Sequence, residues 1–149
     1  GESVDIEGGA MANLIDNNHS FKSNQVHYIF AGNPNTPGFV LEKLSSHEDE
    51  RVRLRVAENC NTNPLVLIDM VSDSSVEVRL AVANNSNLPL LWRRFMAYDD
   101  CPDVRLGIAE NVMAPPVVLL KLAKDENPFV AARALRSIEL RAQAGLGLG

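Results

Sequence analysis

Three arginines, Arg53, Arg79 and Arg105, recur at one spacing along this chain of 149 residues. Guanidinium groups in a row are planar, permanently charged forks suited to gripping phosphates or carboxylates, so these are the first candidates for chemistry. Each directly follows a valine (Val52, Val78, Val104), and Arg79 and Arg105 come six residues after Asp73 and Asp99. A structural ladder, in which each arginine pairs with the aspartate of its own or the next unit, accounts for that recurrence more cheaply than a ligand site. The two readings differ in consequence. Removing one partner of a buried pair costs about 3–5 kcal/mol, whereas an exposed pair is worth about 0–1 kcal/mol.

Other reactive side chains are sparse. His19, His27 and His47 lack a metal-ligand spacing, and His47 falls in the column of Asp73, which points to a ladder or turn role. Cys60 and Cys101 belong to no CxxC or Cys/His arrangement and read as two reduced thiols of a cytoplasmic protein. No P-loop, GxGxxG or GxSxG is present. The expectation is a chain without a catalytic set, metal or cofactor.

Hydrophobic residues make up 46% and charged residues 22%, an ordinary globular balance for one domain. A net charge of -5 argues against nucleic acid and anionic lipid as general partners. The average conceals a gradient: residues 1–32 hold four acids against one lysine, and residues 111–136 hold four bases against two acids. A basic C-terminal end suits an acidic partner. No apolar run approaches the ~20 residues of a membrane span, and no secretory h-region follows a basic start.

The elements that must position these residues emerge when the chain is laid out in rows of 26. Val52, Val78, Val104 and Val130 share one column; Ala31, Ala57, Ala83 and Ala109 share another; Asn33, Asn59, Asn85 and Asn111 share a third. The units are 33–58, 59–84, 85–110 and 111–136, preceded by a degenerate capping copy at 11–32. Residues 1–10 read as a leader or artificial remnant, and 137–149 as a last helix end with a tail that frays. Each unit predicts two helices of about nine or ten residues. The first buries Val40, Leu41 and Leu44, or Val66, Leu67 and Met70, or Val118, Leu119 and Leu122. The second has Asp49, Ser75 or Asn127 as N-cap and buries Val52 and Val56, Val78 and Val82, or Val104 and Ile108. The asparagine column predicts a left-handed stop. Helices this short are marginal alone, so neighbouring units must bury one another's apolar stripes.

The strings Val52-Arg-Leu-Arg-Val-Ala-Glu-Asn59, Val78-Arg-Leu-Ala-Val-Ala-Asn-Asn85 and Val104-Arg-Leu-Gly-Ile-Ala-Glu-Asn111 resemble the leucine-rich repeat variant family. The six-residue Asp-to-Arg spacing is similar to HEAT repeats. The resemblance covers roughly 26–136. It implies an all-α, right-handed α-solenoid in which one helix of each pair is short or 3₁₀, and a protein-interaction role. The family's founding type carries a cysteine-bound iron–sulfur segment; those cysteines have no counterpart here, so that activity is not implied.

Surface positions that vary between units are the candidate binding residues, because packing does not dictate them. On the second helices these are Arg55, Ala81, Gly107 and Arg133, flanked by Glu58, Asn84, Glu110 and Arg136. Small residues mid-stack with arginine at both ends predict a groove for a peptide or partner chain, against the plainer reading of a solvated face. The third unit departs most, with Arg93 in the column of Leu41, Leu67 and Leu119. Around it, Trp92, Arg94, Phe95 and Tyr98 have the composition of an interface hot spot. The plainer reading puts Trp92 and Met96 in the core with Arg93 snorkelling outward. The asparagines Asn59, Asn85 and Asn111 read as structural. The resulting expectation is a protein-binding scaffold. A small HEAT-like enzyme or nucleic-acid module is the alternative, and dimers through exposed stack ends are also open.

Overall fold

The computed structural model describes residues 21–148. The expected leader at 1–10, residues 11–20 of the expected capping copy and His19 lie outside the described residues. Nine helices occupy the described part, with no strand: α1 (Phe21–Gly32), α2 (Gly38–Leu44), α3 (Glu50–Glu58), α4 (Pro64–Asp69), α5 (Val76–Asn84), α6 (Leu90–Met96), α7 (Pro102–Glu110), α8 (Pro116–Leu122) and α9 (Pro128–Gln143). Long and short helices alternate, so the fold is all-α. The short ones, α2, α4, α6 and α8, are six or seven residues long, below the nine or ten expected.

Local sequence explains where each helix begins. Asp49, Ser75 and Asn127 cap α3, α5 and α9 by accepting from the N–H groups of Arg51, Val78 and Phe129. Proline opens α4, α7, α8 and α9, where its missing N–H costs nothing. The valine pairs of the long helices and the aliphatic triplets of the short ones are buried. Packing runs mainly from each long helix to the next, α1 to α3, α3 to α5, α5 to α7 and α7 to α9. A continuous core of Val, Leu and Ala side chains lies between the long and short helices.

The expected left-handed stop is corrected. The long helices do not end in a left-handed stop: Asn59, Asn85 and Asn111 are extended, with φ of -70, -77 and -79°. No non-glycine residue among those described has positive φ. The asparagine side chains have a different task, set out below. Beyond α9 the chain turns at a glycine. Gly145 adopts φ 74°, and the Leu146 N–H donates to the Arg141 carbonyl at 2.9 Å, a glycine-dependent helix stop. Arg141 Nε in turn donates to the Gly147 carbonyl.

Candidate functional site

The three recurring arginines each bridge two segments. Arg53 holds Asp73 through Nε and Nη2 at 2.9 and 3.2 Å. Arg79 holds Asp99 at 2.9 and 3.3 Å, and Arg105 holds Asp125 at 2.9 and 3.3 Å. Every carboxylate therefore lies 20 residues after its arginine. The six-residue relation is met by main chain instead: Nη1 of Arg53, Arg79 and Arg105 donates to the carbonyls of His47, Asp73 and Asp99. Each aspartate also accepts from the N–H two residues on, that of Ser75, Cys101 or Asn127. Hydrogen bonds donated to Asp99 and Asp125 raise the pKa values of Arg79 and Arg105. Burial pushes Asp125 up, but the bonds from Arg105 and Asn127 outweigh it and hold the carboxyl below its ordinary value. These guanidinium groups are engaged on both edges and present no open fork to a ligand.

The asparagine column forms a second set of rungs. Asn59 Nδ2 donates to the carbonyls of Ala31 and Asn33, and Asn85 Nδ2 to those of Ala57 and Asn59, at 2.8 to 3.0 Å. Each reaches back 28 residues to satisfy a carbonyl left open at the end of the preceding long helix. In the same role Ser137 Oγ reaches the Ala109 carbonyl. Asn111 breaks the series, donating to Asn84 Oδ1. The carbonyl it would take, Ala83, receives Arg93 Nε at 3.4 Å. Arg93 thus points inward to the C-terminal end of α5, where the helix dipole favours a cation. The outward snorkel does not form, and burial lowers the Arg93 pKa.

The rest of the Trp92–Tyr98 segment divides between core and surface. Met96 is buried, and Trp92 packs against the core with its ring edge-to-face on Phe95 at 5.6 Å. Arg94, Phe95 and Tyr98 are exposed. Lys121 Nζ lies 4.0 Å from the centre of the Tyr98 ring while donating to the Ala97 carbonyl.

The arginines of the expected groove are each engaged by a nearby acid. Arg55 lies over the Tyr28 ring and pairs with Glu58; Arg133 approaches Glu110 at 4.0 Å; Arg136 pairs with Glu139. Glu58, Ala81 and Asn84 line one shallow depression with Leu54 and Leu80. Gly107 serves packing there: a Cβ would sit 2.5 Å from the Leu80 methyls. Gly107→Ala is therefore expected to lose the ~1 kcal/mol that alanine contributes to a helix interior. In a Leu80→Ala background the same substitution should stabilise, and urea midpoints of the four variants check this. Equal effects in both backgrounds would remove Leu80 as the cause.

Sequence reasoning missed a different surface. Phe39, Leu65, Leu91 and Val117, one near the start of each short helix, are 51, 71, 71 and 41% exposed. Leu90, Phe95, Met113 and Leu120 are exposed on the same short helices and the loop before α8. The signal was available as an apolar column at 39, 65, 91 and 117, outside the buried triplets. A second missed feature is the contact between His27 and His47, whose Nδ1 and Nε2 lie 3.0 Å apart. His27 occupies the arginine column and His47 the aspartate column, again 20 residues apart. Among the described residues no three His, Cys, Asp or Glu side chains are grouped to hold a metal, and no helix is long and apolar enough to cross a membrane.

No family model, no curated protein and no solved structure matches this chain.

Proposed function

We propose that this chain is a non-catalytic scaffold that binds a partner protein through the exposed apolar row of its short helices. The architecture in this reading is a right-handed α-solenoid of 26-residue repeats at 33–58, 59–84, 85–110 and 111–136. Residues 21–32 and 137–148 flank these repeats. Support for the stack comes from rungs that tie each helix pair to the next: Arg53–Asp73, Arg79–Asp99 and Arg105–Asp125 on one edge, Asn59 and Asn85 on the other. The row itself carries the functional reading. Four large apolar side chains recur in water at one position of the four short helices, a position that packing does not require. Neighbouring helices lie ~8–10 Å apart, close to the ~10 Å between residues seven apart on a partner helix. An amphipathic helix with apolar anchors at that interval is the fitting occupant. Arg94, Phe95 and Tyr98 extend the row at its third position. A reducing cytoplasmic setting suits the exposed, unbridged Cys60.

Affinity capture from the native host tests the reading with two double variants. Leu65→Glu/Leu91→Glu should keep the wild-type melting curve and lose the captured protein, because both side chains face water. Arg55→Glu/Arg133→Glu, on the long-helix face, should retain it. The opposite pattern would move the binding surface to the groove of Arg55, Ala81, Gly107 and Arg133. Retention by both variants would remove the row from the account.

A further inference from the structure

The rung between His27 on α1 and His47 in the α2–α3 turn stands where the other units use arginine and aspartate. An arginine–aspartate pair stays charged across the physiological range, but a histidine pair does not. The hydrogen bonds determine which nitrogen carries which proton. The Asp49 N–H donates to His47 Nδ1 at 2.9 Å, so that nitrogen is a bare acceptor. The His47 proton then sits on Nε2 and is donated to Nδ1 of His27 at 3.0 Å. His27 is fully buried in this arrangement and His47 nearly so. An added proton disturbs one of these two hydrogen bonds. Placed on His47 Nδ1 it meets the Asp49 N–H; placed on His27 Nδ1 it meets the His47 N–H unless His47 changes tautomer and gives up Asp49.

We propose that the His27–His47 pair is an acid-sensitive latch: taking up a proton, it releases α1 from α3 and the α2–α3 turn. The charged groups facing His47 are Glu48 and Asp49 in its own turn, Arg53 on α3 and His27 on α1. Asp49 is already paired with Arg51, and Arg53 with Asp73; Glu48 and Asp49 favour a charged His47, but burial and His27 outweigh them. Burial first, and the neighbouring His27 second, lower the His47 pKa below 6.5 in the folded chain. The unfolded state therefore binds the proton more tightly. This contribution to stability is complete above about pH 6.5 and is lost as the pH falls below it. Release of α1 would uncover the face of α3 that it covers and break the Asn59–Ala31 rung.

Amide hydrogen exchange, expressed as protection factors at pH 7.5 and 5.5, tests the latch. In the wild type, protection of α1 should drop severalfold as His47 takes up its proton, while α7 holds. The double variant His27→Arg/His47→Asp restores the charged rung of the other units and should flatten the α1 response. Unchanged α1 protection in the wild type, or an equal drop in the double variant, overturns the proposal. Should that variant not fold, imidazole NMR titration of the wild type decides. His47 is expected to titrate below pH 6.5 together with loss of α1 protection. A midpoint at or above 6.5 with constant protection refutes the latch.

Discussion

Arg105→Ala is expected to lower the melting temperature by roughly 10 °C, the largest effect of any single ladder substitution. Its partner Asp125 has the most buried carboxylate of the three pairs, with a side chain 2% exposed against 9 and 10% for Asp73 and Asp99. Losing the guanidinium strands that charge away from water and also frees the Asp99 carbonyl. Breaking a buried pair from one side costs about 3–5 kcal/mol, far more than the pair's net worth against an apolar substitute. Arg105→Lys keeps the charge but not the fork, so it should recover only a minor part. Thermal unfolding followed by circular dichroism is the measurement. A shift of less than about 2 °C for the alanine variant, a fraction of the change implied above, would mean that water screens the pair as it does at a surface.

Asn85→Ala is the second large effect, expected at about 3 kcal/mol, while Asn111→Ala should cost about 1 kcal/mol or less. Both asparagines end a long helix at the same position of their units. Asn85 is buried and serves two carbonyls, Ala57 and Asn59, while its Oδ1 accepts from the Asn87 N–H. Alanine leaves those three groups without their partner, the two carbonyls in a place water does not reach. Asn111 is only half-buried and donates to the Asn84 side chain, which can turn to solvent. Urea unfolding of the two variants side by side checks the contrast. Equal costs would show that Arg93 does not take over the Ala83 carbonyl.

Much of the helical pattern was legible because local rules and burial agree. Asp49, Ser75 and Asn127 announced helix starts, and the valine pairs named the buried face before any coordinates. The short helices were overcounted because their apolar triplets span one turn and a cap, not a full helix. The candidate site was less legible. Arg55, Arg133 and Arg136 looked available as charges on an exposed column, yet each has an acidic neighbour on the same or the adjacent helix. Gly107 looked like an opening, but it is a seat for Leu80 from the preceding long helix.

From residue types and spacing alone came the alternation of helices, the buried stripes, the caps, and the expectation that arginine and aspartate form a ladder. Those follow from interactions within a turn or two, or from a pattern repeated often enough to reveal its period. Only the tertiary structure decided the pairing partner 20 residues on, the backward reach of Asn59 and Asn85, and the inward turn of Arg93. It also revealed the exposure of Phe39, Leu65, Leu91 and Val117, and the meeting of His27 with His47. The reason is geometric. A side chain's partner across a packed interface depends on which of several nearby carbonyls and carboxylates lies within about 3 Å once the helices have docked.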